Sequence, residues 1–504
     1  MQPMIRMRRF AVAALLLAVF SVMGCKTGTN PVTGNERVMG YSWKQEKKLG
    51  QRANKQIQAQ YGFYDEGDVE DYVQQVGQQV LEESHLRREG TAQKFRQTDV
   101  TFHVLDSPIV NAFALPGGYV YVSRGLVSHL NNEAQLAVVL SHELGHVAAR
   151  HASQRAGEQQ LRQLGLMGGA ILGSQLGLPG GTLMRVGGTA LKLLSLRYSR
   201  DDERESDKLG VEYATMAGYE ASEGAAFFQT LKRISEQKGG GIPSWASTHP
   251  EPGDRQQRIP KLAQKWQKKV QRSATTVNRD QHFSTINGMV IGKNPRQGFV
   301  QNNTFYHPEG AFQFPIPGNF QVQNTASAVI MQSEQQDAVM QFTYAQAESP
   351  RAAAREFAGQ EGIQVREDGQ ASSNGMSAYY VLADAQTQGQ GGQQQQVRLL
   401  TYFVEKGGTV YQFLGYSTPQ EFRQYRDTFE RTMRGFDEVN DEDILDVQPA
   451  RLNVERDRSG TFNEIVGNVD AELAGISERD LAIMNQVELN TSIEPGRPLK
   501  LNSN

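Results

Sequence analysis

Apolar residues recur at three- and four-residue steps at Val69, Tyr72, Val73, Val76 and Val80, predicting an amphipathic helix within the polar stretch from Tyr41 to His85. Val100 to Leu105 alternates as a strand does. Within Asn111 to Ser123, Pro116-Gly117-Gly118 marks a turn, and Tyr119, Val120, Tyr121 and Val122 form a strand after it. Asn131-Asn132-Glu133 then opens a helix, with Asn132 and Gln135 at capping-box spacing, which carries Leu136, Val139, Leu140, Glu143 and Val147. Gly157 to Leu196 is rich in Gly and Leu and lacks charge from Leu164 to Met184. That run is long enough to cross a bilayer, but Gly168-Gly169, Gly173, Gly177 and Pro179-Gly180-Gly181 interrupt it. A helical hairpin packed through small residues, or a mobile lid over the active site, is expected rather than a membrane span.

Helical patterns resume from Asp201 to Lys238. Gly239-Gly240-Gly241 reads as a loop, a basic amphipathic helix ends near Arg272, and Thr275 to His282 reads as a linker. From Gly298 to Phe436, strand-like segments surround two helices that open at Ser349-Pro350-Arg351 and Thr418-Pro419-Gln420. Both place Pro just inside a capping residue. The low-complexity tract Gln386 to Gln396 is expected to be a hairpin loop. The chain closes with a strand (Ala450 to Val454), two helices (Gly460 to Val466, Glu478 to Asn485) and a strand (Pro498 to Leu501). The expected fold class is α+β and multidomain: a mainly helical domain with a small sheet, an α+β accessory domain, and a small βααβ C-terminal module.

The 504 residues leave room for about three domains. A hydrophobic share of 38% with 50 glycines, and a charged share of 21%, are ordinary for globular domains. A net charge of −3 excludes nucleic-acid binding through bulk positive charge. Mean hydropathy of −0.53 excludes a polytopic membrane protein. A single cysteine excludes an internal disulfide framework and a thiolate zinc site. Arg6, Arg8 and Arg9 precede an uncharged run from Phe10 to Met23, shorter than the ~20 residues of a spanning helix, so residues 1–24 read as a signal peptide. Val22-Met23-Gly24-Cys25 resembles a bacterial lipobox. It implies that Cys25 is lipidated and that residues 25–40 are a tether, and Lys26 points to sorting to the outer membrane, facing the periplasm.

The chemistry concentrates in His142-Glu143-Leu144-Gly145-His146. Histidines at i and i+4 share a helix face and can hold one zinc ion, whereas Glu143 lies about 100° away, able to face a water on that metal. The metzincin continuation is absent, because Ala149 and Ala152 stand where it needs Gly and His. His151, about 140° from His146 on a continuous helix, reads as a surface or packing residue. The third ligand is then a carboxylate from Ser199-Arg200-Asp201-Asp202-Glu203-Arg204-Glu205-Ser206-Asp207. Glu203 and Asp207 are one turn apart, so Glu203 can ligate while Asp207 orients a ligand histidine. Glu205 points elsewhere.

Four segments (NAFALPGG at 111–118, HELGHVAARH at 142–151, SRDDERESDKLG at 199–210 and STHPEPGDR at 247–255) closely resemble the gluzincin metallopeptidases of the HtpX and CaaX-prenyl-protease type, within them the periplasmic BepA/LoiP-like group. The resemblance covers about residues 40–272. It implies a zinc metallopeptidase domain at 41–272 with one zinc per chain, ligands His142, His146 and Glu203, base Glu143, and Asp207 behind a ligand. It also singles out His249, either stabilising the oxyanion or occupying the open metal position. The strand after Gly118, or the segment Asn111-Ala112-Phe113 before it, is expected to pair with an extended substrate. The expected role is an envelope quality-control endopeptidase acting on misfolded or unassembled proteins, held to the membrane by its lipid anchor, with no nucleic-acid partner. Residues 280–440 resemble the accessory region of some bacterial relatives, but lack a paired-helix 34-residue repeat. Residues 445–504 resemble a divergent LysM module, which is either a peptidoglycan binder or a structural cap. The competing function is a chaperone-like or peptidoglycan-binding scaffold with little proteolysis.

Overall fold

The computed structural model describes residues 27–168, 198–237, 245, 249, 254–270, 273–388, 394–467 and 475–503. The expected signal peptide, Cys25 and the glycine-rich segment beyond Gly168 lie outside the described residues. Among those described, no helix is long and apolar enough to cross a membrane.

The chain enters as a hairpin, β1 (Thr27–Thr29) with β2 (Glu36–Val38), followed by helices α1 (Trp43–Tyr61) and α2 (Val69–Glu82). The stripe Val69, Tyr72, Val73, Val76 and Val80 on α2 is buried, as its period requires. A three-stranded sheet follows: β3 (Thr101–Leu105), β4 (Ala112–Leu115) and β5 (Tyr119–Ser123). Its order is β3-β5-β4, with β5 parallel to β3 and antiparallel to β4.

Helix α3 (Glu133–Ala149) is the axis of the domain. Every one of its 17 residues is buried, which suits a sequence that is apolar nearly all round. The Asn132 side chain caps its start by accepting from the Gln135 amide. Arg150, left-handed at φ 61° and ψ 36°, ends it and redirects the chain into α4 (His151–Gly168). Helix α5 (Arg200–Met216) lies against α3, with α6 (Gly224–Gln237), α7 (Arg255–Gln267) and α8 (Arg279–Ile286) completing the domain. The linker expected over Thr275 to His282 is therefore corrected from Arg279 onward. Its His282 is wholly buried between the Tyr72 hydroxyl and the Leu130 carbonyl, at 3.0 and 3.1 Å.

The accessory region contains a seven-stranded antiparallel sheet in the order Gln364–Ser373, Met376–Gln388, Gln394–Lys406, Thr409–Ser417, Ala338–Ala345, Val329–Ser333, Phe320–Asn324. A helix packs on either face, Pro350–Ala358 over Phe403 and Phe422–Arg434 over Phe413. The first begins at Pro350 with Ser349 as cap. The second begins at Phe422, four residues after Thr418, whose carbonyl accepts from the Phe422 amide and whose hydroxyl accepts from the Glu421 amide at 3.4 Å. The glutamine tract is mostly strand, because Gln386 pairs with Gln396 and Gln388 with Gln394. Only residues 389–393 lie outside the described residues.

The last segment closes on itself through antiparallel strands Arg451–Glu455 and Leu499–Ser503, around helices Phe462–Val466 and Glu478–Met484. Its Leu452, Phe462, Leu481 and Leu499 join the same apolar core as Leu136 and Phe283. Lys500 reaches into the first domain, donating to the carbonyls of Ser128 and Leu130 at 2.7 and 2.8 Å.

Candidate metal centre

The site is made where α3 and α5 touch. Both helices carry a glycine at the crossing. A Cβ on Gly145 would lie 3.2 Å from Leu209 Cβ, and one on Gly210 would lie 3.1 Å from the His142 nitrogen. This close approach brings the acidic first turns of α5 beside the histidine pair of α3. The capping box of Ser199 with Asp202 fixes where α5 starts.

His142, His146, Glu203 and His249 present ligand atoms all within 4.8 Å of one another, and all four residues are buried. His142 Nε2 and His146 Nε2 are 3.1 Å apart. Glu203 oxygens lie 3.5 Å from the first and 3.4 Å from the second. A tetrahedral ion with bonds of ~2.0–2.2 Å needs ligand edges of roughly 3.3–3.6 Å. The histidine pair stands slightly inside that, and each Glu203 oxygen lies at such an edge from a different histidine, Oε2 from His142 and Oε1 from His146, so the donor set fits zinc in chemistry and nearly in spacing. Both carboxylate oxygens of Glu143, and His249 Nε2, are buried without a hydrogen-bond partner among the described residues. Such orphaned groups mark a place built for something further.

Behind the donors stand their supports. Asp207 Oδ1 faces His142 Nδ1 at 3.0 Å. Arg255 donates to both Glu203 and Asp207, and Arg258 also donates to Asp207. Burial would raise both carboxylic acids, but their partners win. His249 and His142 hold Glu203 well below its usual range, and Arg255 and His142 lower Asp207. Burial resists charge on His142, yet Asp207 and Glu203 raise it to about 9. His146 has no such surplus of carboxylates, and burial holds it well below the usual imidazole value. Glu143 is raised above the usual carboxylic-acid value, chiefly by burial.

His249 lies 3.0 Å through Nδ1 from Glu203 Oε1 and 3.6 Å through Nε2 from Glu143 Oε1, stacked on Trp245 at 4.3 Å between centroids. Thr248 and Pro250 lie outside the described residues. Ala112 and Phe113 sit on β4, one of the two edge strands of the small sheet, with both side chains buried. Asn111 just precedes it, its Oδ1 buried and without a hydrogen-bond partner among the described residues. The alternative strand after Gly118 is corrected: β5 is paired on both edges and has none to offer. A small cavity beside His146 is lined by Ala114, Leu115, Pro116 and Tyr198, so β4 borders the donors.

Sequence reading assigned nothing to Tyr198, Trp245, Arg255 or Arg258, although Arg255 closes the segment STHPEPGDR. Tyr198 stacks on His146 at 3.9 Å. His151 is wholly buried, which is the packing alternative of the two expected for it. The helical-wheel angle assumed a continuous helix, which the left-handed Arg150 breaks.

Residues 69–263 match the model of peptidase family M48. Over 167 residues the chain is 32% identical to the mitochondrial metalloendopeptidase OMA1 of Bos taurus, covering 32% of each protein. It is also 32% identical over 167 residues to a putative beta-barrel assembly-enhancing protease of Vibrio cholerae, covering 32% of this chain and 34% of that one. It is 26% identical over 239 residues to the beta-barrel assembly-enhancing protease of Escherichia coli, covering 45% of each. The chain thus spans a third to under half the length of these relatives. Family M48 metallopeptidases depend on zinc, which agrees with the donor set here. The match to peptidase family M48 falls on the helical domain that holds the four donors.

Proposed function

We propose that this chain is a zinc-dependent endopeptidase of the bacterial cell envelope, with unfolded or unassembled outer-membrane and periplasmic proteins as substrates. The observation that carries this reading is the buried four-donor cluster with, beside it, the Glu143 carboxylate, which has no hydrogen-bond partner among the described residues. His142, His146 and Glu203 would hold the metal. When bound, zinc supplies an activated water and polarises the scissile carbonyl. Glu143 is the general base. Its carboxylate takes a proton during attack and returns it to the leaving amine nitrogen, and burial raises its affinity for that proton. His249 acts on the open side of the donor set, as a blocking ligand or as a partner of the oxyanion. Asn111, Ala112 and Phe113 bind substrate through main-chain pairing with the edge strand, a mode that selects extended chains over particular side chains.

Cys25 is the lipidated N-terminus, with the protein at the outer membrane facing the periplasm. The name beta-barrel assembly-enhancing protease, carried by relatives, supports substrates of the β-barrel class. Residues 445–504 are a LysM-like module whose glycan ligand would be peptidoglycan. The test is proteolysis of an unfolded outer-membrane β-barrel protein by the intact chain. Cleavage should stop with a zinc chelator and return on adding zinc. Cleavage indifferent to the chelator, or none at any zinc level, overturns the reading.

A further inference from the structure

His151 is the one buried histidine in contact with the donor cluster that the reaction described above does not use. Its Nδ1 lies 3.0 Å from His146 Nδ1, and its Nε2 lies 3.3 Å from Glu205 Oε2. Glu205 Oε2 accepts in turn from Arg37 Nη1 at 3.3 Å, and the same Arg37 nitrogen donates to Gln154. Arg37 belongs to β2, in the hairpin that opens the described chain.

We propose that His151, Glu205 and Arg37 form a positioning relay that orients His146 and couples the seating of the N-terminal hairpin to the affinity of the centre for zinc. The inference rests on the metal-centre reading above. His146 turns Nε2 towards His142 and Glu203, so a neutral imidazole binding metal there carries its hydrogen on Nδ1. That N–H needs an acceptor. Asp207 faces the equivalent atom of His142, but no carboxylate among the described residues stands within ion-pair distance of His146 Nδ1. His151 Nδ1 is the acceptor in reach. Accepting there makes His151 the Nε2–H tautomer, whose hydrogen points to Glu205, and Arg37 fixes Glu205. Every donor along the line meets an acceptor, with no two hydrogens or two lone pairs left facing each other.

The hairpin is held at this corner by more than Arg37. Arg150 donates to the Thr29 carbonyl at 2.9 Å and the Asn30 side chain to the Ala149 carbonyl at 3.1 Å, while the Gly40 amide meets the Ser153 carbonyl at 2.7 Å. The left-handed Arg150 therefore serves twice. It swings His151 back to His146, and its side chain binds the strap that carries Arg37.

The experiment measures zinc dissociation constants of the intact chain by competition with a chromogenic chelator, beside the melting temperature of the metal-free protein. His151→Leu removes the acceptor and is expected to weaken zinc binding roughly 10–100-fold, the usual effect of losing a partner behind a ligand. His151→Gln can accept from His146 and donate to Glu205, so it should recover most of that loss. Arg37→Met should weaken binding by a smaller factor, and should add nothing in the His151→Leu background, where the line is already cut. Parental zinc affinity in His151→Leu overturns the relay. So does a loss equal in Leu and Gln variants, or one matched by an equal fall in metal-free melting temperature across both, since each marks mere packing. An Arg37→Met effect that persists in the double variant overturns the coupling to the hairpin. If the parent chain itself binds no zinc, the metal-centre reading has failed, a different result from any of these.

Discussion

Gly210 of α5 lies directly against His142 of α3: a Cβ added to the glycine would come within 3.1 Å of the histidine's backbone nitrogen and 3.2 Å of its Cα. Backbone cannot move aside as a flexible side chain can. The distance between helices that seats Glu203 beside the histidine pair is thus set about two turns further along, at a position with no chemistry of its own.

Gly210→Ala is accordingly expected to force the two helices apart. Overpacking at such a contact costs ~1–3 kcal/mol. The melting temperature should fall, and zinc binding should weaken as the Glu203 carboxylate withdraws. Thermal unfolding with and without zinc checks this. A variant with unchanged melting temperature and zinc affinity would show that the contact relaxes freely.

Glu143 and Glu203 should separate cleanly. Glu143→Gln keeps size and polarity but cannot take a proton, so proteolysis should drop ~10²–10⁴-fold with zinc still bound. Glu203→Gln removes a charged donor and leaves Arg255 facing a neutral amide, so zinc retention and activity should fall together. Zinc content by elemental analysis beside proteolysis decides. Loss of metal in the first variant with retention in the second reverses the two roles.

Cys25→Ala should release the protein from the membrane fraction into the soluble periplasmic fraction. The expectation comes from the lipobox-like Val22-Met23-Gly24-Cys25 and the uniqueness of the cysteine. A variant that still sediments with outer membranes after detergent-free washing would mean that something other than a lipid holds it there.

In the accessory sheet, Arg398 and Arg366 hold Asp384 down to about 2, from an ordinary 3.8, with hydrogen bonds of 2.8 and 2.7 Å. A carboxylate with a depressed folded-state value stabilises above its unfolded value, and loses that contribution as pH falls towards the folded one. Asp384→Asn should therefore lower the melting temperature near neutral pH. The gap to the parent should narrow between about pH 4 and about pH 2, because the parent's carboxylate is protonated there. A gap that stays constant down to about pH 2 would assign the effect to shape and not to charge.

What the sequence determined by itself is whatever one helix period can encode. His142 and His146 stand on one face of α3 because four residues make nearly a full turn, and the same rule puts Glu203 and Asp207 together on α5. The stripe on α2 and the helix cap at Ser349 were legible for the same reason: each depends on residues within one or two turns. Only the tertiary structure decided which distant groups meet. It brought His249, Arg255 and Arg258 to the two carboxylates across some fifty residues of sequence. It left β4 rather than β5 with a free edge, since strand order is a property of the sheet and not of a strand. It set the last segment into the core of the first domain. His151 marks the boundary most sharply. Its angle on a continuous helix leaves a surface place and a packing place both open, and a single left-handed residue before it, its side chain bound to the N-terminal strap, turns it inward onto His146.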